Sequence, residues 1–180
     1  MEFFTADQHY EHAEMINHCD RPIKKIQQMD QHIIFKHNEV VTDKDTVWNI
    51  GDFSMLSPEF TGRIERKRRK LKGRQHLVLG NHDRLKPQNY VEICGFITVH
   101  TAYWFERAGY RFVLAHDPSV YTACGKDDVL LHGHLHKLYQ HLLPDRRVIN
   151  VGVDVWDFAP VSFKQILELL YEHDIRPVGG

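Results

Sequence analysis

Five short clusters in the sequence carry side chains able to hold a metal ion: "ADQH" (6–9), "GDF" (51–53), "GNHD" (80–83), "AHD" (115–117) and "HGHLH" (132–136). Aspartate and neutral imidazole bind first-row divalent cations well, and an amide oxygen such as that of Asn81 completes a hard position. Asp7, His9, Asp52, Asn81, His82, His116, His134 and His136 are together too many for one four-coordinate ion. They suit two metals that share a carboxylate, and Asp52, alone at the end of its segment, is the natural bridge. Gly51, Gly80 and Gly133, next to these donors, allow the tight turns that aim neighbouring side chains at one point.

For such residues to meet, the elements that carry them must end at one rim. Each cluster follows an apolar run with strand character: about 2–6, "DTVWNIGD", "RQHLVLGNHD", "YRFVLAHD" and "DVLLHGH". Polar residues at the ends of several strands converge if those strands lie in a sheet. Between the runs, "HYEHAEMINHC" reads as a helix broken by Asp20–Pro22. "IQQMDQHIIFKHNEVV" places Ile26, Met29, Ile33, Ile34, His37 and Val40/Val41 at helical spacing. Phe60, Ile64, Lys67 and Leu71 share one side of another helix. The second half adds strands at "ITVH", "AYWFE" and "RVINVGVD", with Ala108-Gly109 as a turn. The helix "VSFKQILELLYEH" closes the pattern with Phe163, Ile166, Leu167, Leu170 and Tyr171 on one face. Strands alternating with helices and then hairpins predict a layered α/β sandwich.

Composition narrows the setting. At 180 residues the chain fits a single domain, 1–180, large enough for a core without disulfides. Cys19, Cys94 and Cys124 are odd in number and form no CxxC pair, which favours a reducing compartment, and the first ten residues carry no signal-peptide pattern. A cytoplasmic location is therefore expected. No apolar run approaches the ~20 residues of a membrane span. A net charge of -1 gives no global attraction to nucleic acid. Histidine is the outlier, with 14 in the chain, and the residues cluster.

The blocks D-x-H at 7–9, GD at 51–52, GNHD at 80–83, the lone His116 and GHLH at 133–136 resemble the metallophosphoesterase family of the calcineurin type, in family order. The resemblance implies a four-layer α/β/β/α sandwich, two mixed sheets flanked by helices. It implies one metal held by Asp7, His9, Asp52 and His136, and a second by Asp52, Asn81, His116 and His134. His82 matches the family's non-ligand histidine facing the substrate phosphate, and in this family a metal-bridging hydroxide attacks phosphorus in line. His82 is then placed to protonate the leaving oxygen, an effect of roughly 10²–10⁴ in rate. The implied cofactors are two divalent transition metals among manganese, iron, nickel, cobalt and zinc, with manganese the first to use in vitro. The implied partner is a phosphoester substrate, a phosphodiester slightly favoured over a monoester, with nucleotides, cyclic nucleotides and nucleic-acid ends all open. No membrane and no obligate protein partner are expected.

Gly51-Asp52 is followed by "FSMLSPEF", so the GDxxDRG block of protein phosphatases is missing. Asp83 or Asp117 could orient His82 or another imidazole. His132 lies outside the family pattern and reads as an ordinary strand histidine. Arg21 is close enough in sequence to Asp7 and His9 to reach a substrate phosphate, against which stands a structural ion pair. "RIERKRRKLKGR" (63–74) holds eight Lys/Arg against one Glu, either a nucleic-acid patch or the wet face of a helix. The remaining histidines, His12, His18, His32, His37, His76, His100, His141 and His173, read as surface or core, and Trp48, Trp104 and Trp156 as packing. The competing classes are a non-catalytic interaction module on the same fold and a nucleic-acid binder using 63–74.

Overall fold

A computed structural model describes residues 1–138, 142–143 and 147–177. The strands form two five-stranded mixed sheets. In the first sheet β1 (Glu2–Thr5), β2 (Thr46–Ile50), β3 (Arg74–Val78) and β4 (Val99–His100) run parallel. The second contains β5 (Tyr103–Arg107), β6 (Tyr110–Leu114), β7 (Val129–His132), β8 (Leu142–Leu143) and β9 (Val148–Asn150), in the order β5-β6-β7-β9-β8. β10 (Val161–Ser162) returns to pair antiparallel with β1. The helices are α1 (Glu14–His18), α2 (Ile26–Val40), α3 (Thr61–Arg68), α4 (Pro87–Glu92) and α5 (Phe163–Glu172).

Strand periodicity decides which residues face which layer. Phe4, Trp48, Ile50 and Val78 of the first sheet meet Phe112, Leu114, Leu131 and Ile149 of the second in one apolar core, and Ile166 and Leu170 of α5 join it. Leu77, on the opposite side of the first sheet, packs with Met29 and Ile33 of α2, Ile64 of α3 and Tyr90 of α4. Val113, Leu130 and Val148 turn to the outer face of the second sheet and pack with Tyr121, in a 3₁₀ segment over Pro118–Ala123. The α/β sandwich of two mixed sheets flanked by helices is thus the fold of this chain.

Several elements differ from the sequence reading. The helix expected over 9–19 forms only at Glu14–His18. Upstream, Asp7, His9 and Glu11 have φ of 61, 52 and 65, a left-handed conformation incompatible with a helix. In that loop the N–H groups of Asp7, His9 and Tyr10 donate to the carbonyls of Gly51, Asp52 and Phe53, each at 3.0 Å. A helix would forfeit those bonds. The chain at Phe60–Leu71 splits into a 3₁₀ turn and α3, which leaves Phe60 exposed although Ile64 and Leu71 are buried. Tyr171 also stays outside the buried face of α5, and Trp104, on the edge strand β5, is 59% exposed. Ala108 and Gly109 have φ of 53 and 76, the two left-handed residues that match a tight turn to strand twist. His141 lies outside the described residues.

Candidate metal centre

The ends of β1, β2, β3, β6 and β7 bring all the expected residues to one rim. Donor atoms of Asp7, His9 and His136 lie within 4.8 Å of one another, and so do those of Asp52, His116 and His134. Asn81 belongs with the second group: its Oδ1 is 3.2 Å from His116 Nε2 and 3.0 Å from His134 Nδ1. Asp52 stands between the groups, with Oδ2 3.1 Å from His116 Nε2 and 3.5 Å from His9 Nε2. Its Oδ1 accepts the His82 backbone N–H at 2.8 Å, which pins the next residue of the GNHD loop. The His82 ring packs edge-on against that of His9 at 5.3 Å between centroids.

The backbone pays for this convergence in strain. Asp7, His9, Asp52, His134 and His136 all have positive φ, each worth of order 1–3 kcal/mol. Such geometry persists where hydrogen bonds over-determine it, as where both Asp7 carboxylate oxygens accept the His134 N–H at 3.0 Å. A Cβ on Gly80 would fall on the Asp52 carboxylate, and one on Gly51 on the His116 ring. Only glycine admits those approaches.

Two imidazoles have their tautomers set by the surroundings. His116 Nδ1 donates to the Ile50 carbonyl at 2.9 Å, which leaves Nε2 facing Asp52 and Asn81. His136 Nδ1 meets Asp154 Oδ2 at 2.9 Å. A carboxylate behind an imidazole is the arrangement that orients a metal-binding histidine. Buried His9 Nε2 has no hydrogen-bond partner among the described residues. A polar atom left so in a packed rim is costly unless a cation completes it. The donor set and this orphaned nitrogen fit divalent metal ions.

The electrostatics agree. Burial raises Asp7, and burial drives His9 down to about 2 and keeps it neutral. For Asp52 burial works upward, but the hydrogen bond and charge of His116 outweigh it and hold the carboxyl at about 2. Burial alone would lower His116, yet the bond to Asp52 and the charges of Asp7 and Asp52 carry it up to about 9. His136 is likewise opposed by burial but raised to about 10 by Asp154, Cys19 and Asp7. Clustered carboxylates demand positive charge, and protons on these two rings supply it in the chain alone.

Sequence reasoning missed or misassigned several neighbours. Arg21 is a structural residue: 1% exposed, it donates to Asp154 at 2.8 and 3.1 Å and to the carbonyls of Asp7 and Gln8 at 2.8 and 3.0 Å. Its guanidinium therefore fastens the first ligand loop to the carboxylate behind His136. Asp154 itself went unread, although it follows a strand and a glycine much as Asp52 does. Asp83 accepts the N–H groups of Asp52, Phe53 and Gly80 at 2.9–3.1 Å and knits two ligand loops together. Asp117 accepts the Ser119 N–H and begins the 3₁₀ segment. Asp83 also accepts the Tyr90 hydroxyl at 3.4 Å, which ties the GNHD loop to α4. His12 belongs to the site: its Nδ1 is 3.2 Å from His9 Nδ1, and its ring lies 6.0 Å from that of His82. The three-residue step from His9 to His12 was the available signal. His132 is an ordinary strand histidine, buried, with Nδ1 on the Gly133 carbonyl at 2.6 Å. In the basic segment Arg63 pairs with Glu11, Lys67 with Asp30 and Glu11, and Arg69 with Glu65, so much of its charge is spent within the fold.

A family model, the calcineurin-like phosphoesterase superfamily domain, matches residues 6–162. An uncharacterized protein of Methanocaldococcus jannaschii is 31% identical over 172 residues, spanning 93% of this chain and 90% of that one. The gene 66 protein of Mycobacterium phage L5 is 27% identical over 200 residues, spanning 93% of each. Among solved structures, a protein of unknown function from Aquifex aeolicus has a TM-score of 0.72 and 26% identity, over 94% of this chain and 98% of that chain.

Proposed function

We propose that this chain, which belongs to the calcineurin-like phosphoesterase superfamily, hydrolyses phosphoester bonds at a centre of two divalent transition metals, with phosphodiesters slightly favoured over monoesters. The observation that carries the reading is the position of the Asp52 carboxylate between two separate donor groups, within 3.5 Å of His9 and 3.1 Å of His116. Asp7, His9, Asp52 and His136 would hold one ion, and Asp52, Asn81, His116 and His134 the other. When bound, two such ions would supply an activated water and neutralise phosphoryl charge. Manganese, iron, nickel, cobalt and zinc all suit mixed imidazole, carboxylate and amide donors.

The chain's own residues do the remaining work. The His82 backbone N–H bond to Asp52 anchors this residue at the rim, and its ring, edge-on to that of His9, would pass a proton to a departing ester oxygen. A proton donor matters most for a basic alkoxide, the leaving group of a natural diester, and on that ground the diester is favoured. Asp154 and Arg21 hold His136 and the Asp7 loop in register. Residues 1–180 form one domain in this reading. The three cysteines are free thiols, in keeping with a cytoplasmic protein. Among the described residues no helix is long and apolar enough to cross a membrane.

Metal-supplemented hydrolysis of an aryl phosphodiester and the corresponding monoester, measured side by side, tests the proposal. The expected result is turnover of both that disappears with a chelator, the diester being faster. Absence of turnover in protein carrying two ions per chain would overturn it.

A further inference from the structure

Two open grooves flank the candidate metal centre and share one wall. The first, of ≈ 610 Å³, runs along α1 and is lined by His12, Glu14, Met15, Asn17 and His18. The second, of ≈ 410 Å³, lies between the same His12 and Glu14 and the chain at Met55 and Leu56. The His12 ring lies tilted against that of His9 at 5.2 Å, and at the far end of the first groove His18 lies 6.5 Å from the His136 ring. The α1 groove therefore runs beside the donor group of Asp7, His9 and His136, starting next to His82.

We infer that the α1 groove binds one organic arm of a phosphodiester, and that this arm is planar, uncharged and of the nucleoside type. The inference rests on the phosphoesterase reading above. A phosphoryl group seated between the donor groups beside His82 has both grooves within reach. A monoester has one organic arm to place, and a diester has two. The chemistry of the first groove selects the arm. The exposed ring of His18 offers a face on which a flat heterocycle stacks, and the His12 ring, mostly covered, borders the groove at its His82 end. Met15, buried beneath them, gives the groove an apolar floor. The exposed Asn17 amide carries both donors and an acceptor, as base edges require. Glu14, 83% exposed at the groove, opposes a further phosphate, so a nucleoside fits and a polyphosphate chain does not. The volume is within the usual ~300–1,000 Å³ for a small-molecule site.

The test varies the arm and holds the leaving group fixed. kcat/KM is measured for thymidine 5′-(4-nitrophenyl phosphate) and for methyl 4-nitrophenyl phosphate in native protein and in the double variant Asn17→Ala, His18→Ala. The nucleoside ester should be favoured about 10-fold or more in the native protein, the order of one base stack. The double variant should bring that ratio close to one. A native ratio near one, or a preference that survives both substitutions, overturns the inference. A second readout is independent of turnover. In the zinc-loaded protein the ring resonance of His18, identified by its loss in His18→Ala, should shift with thymidine 5′-(methyl phosphate) and not with dimethyl phosphate. Such a shift without hydrolysis of either nitrophenyl ester would sink the enzymatic reading and leave the groove standing. Hydrolysis of both at equal rates without a shift would remove the groove alone.

Discussion

Asp52 has one oxygen on the His82 amide and the other between His9 and His116. In Asp52→Asn two adjacent cations lose the anion they share, so both ions should weaken together, read as metal content per chain after dialysis. Two tightly retained ions would contradict the bridge. His116 and His136, raised to about 9 and about 10, hold protons at pH 7 that a metal must displace. Metal affinity should therefore rise with pH through the neutral range and fall on acidification. Calorimetric titration with manganese at pH 7 in buffers of different ionisation enthalpy should report proton release, and buffer-independent heats would exclude it. His82→Ala should keep both ions and lose roughly 10²–10⁴ in kcat on an alkyl diester, with far less loss on a nitrophenyl ester. Equal loss on both would assign His82 to phosphoryl charge instead.

Between the first sheet and α2 runs a buried line of polar side chains. Gln75 lies 3.2 Å from His37 Nε2, Asn49 donates to Gln75 at 2.7 Å, and Gln8 donates to Asn49 at 3.1 Å. Gln8 follows Asp7, so this line joins α2 to the first ligand loop. Burial pushes His37 down to about 4, against about 6.5 in an unfolded chain. The unfolded state binds the extra proton between those values. The contribution is complete above about 6.5 and is lost as pH falls toward 4, up to about 3 kcal/mol. Urea unfolding of metal-free protein at pH 7 and 4.5 should show that loss in the native chain and not in His37→Gln, and identical pH dependence in both would refute it. The convergence of the candidate donors was legible because each follows a buried strand beside a turn, and α2 because Met29, Ile33 and His37 repeat at helical spacing. α4 was not, since Pro87–Glu92 is too short to show a period. Nor was the role of Arg21, whose partner Asp154 lies 133 residues away and meets it only once the sheets are assembled. The loop at 9–13 satisfied a helical pattern that the backbone bonds to residues 51–53 override.

At the scale of the molecule, two sheets place five strand ends on one rim, and the apolar core between them holds those ends fixed. The cost of five left-handed donor residues falls on that rigid frame, and the grooves at α1 and Met55–Leu56 open from the same rim. The central claim is that two ions sit there with Asp52 between them. Anomalous diffraction from crystals of the manganese-loaded protein tests it most directly. The expected result is two peaks about 3.5–4 Å apart, one bounded by Asp7, His9 and His136, the other by Asn81, His116 and His134, with the Asp52 carboxylate touching both. A single peak, or a peak at Cys19, His136 and Asp154, whose donor atoms also lie within 4.8 Å of one another, would contradict it.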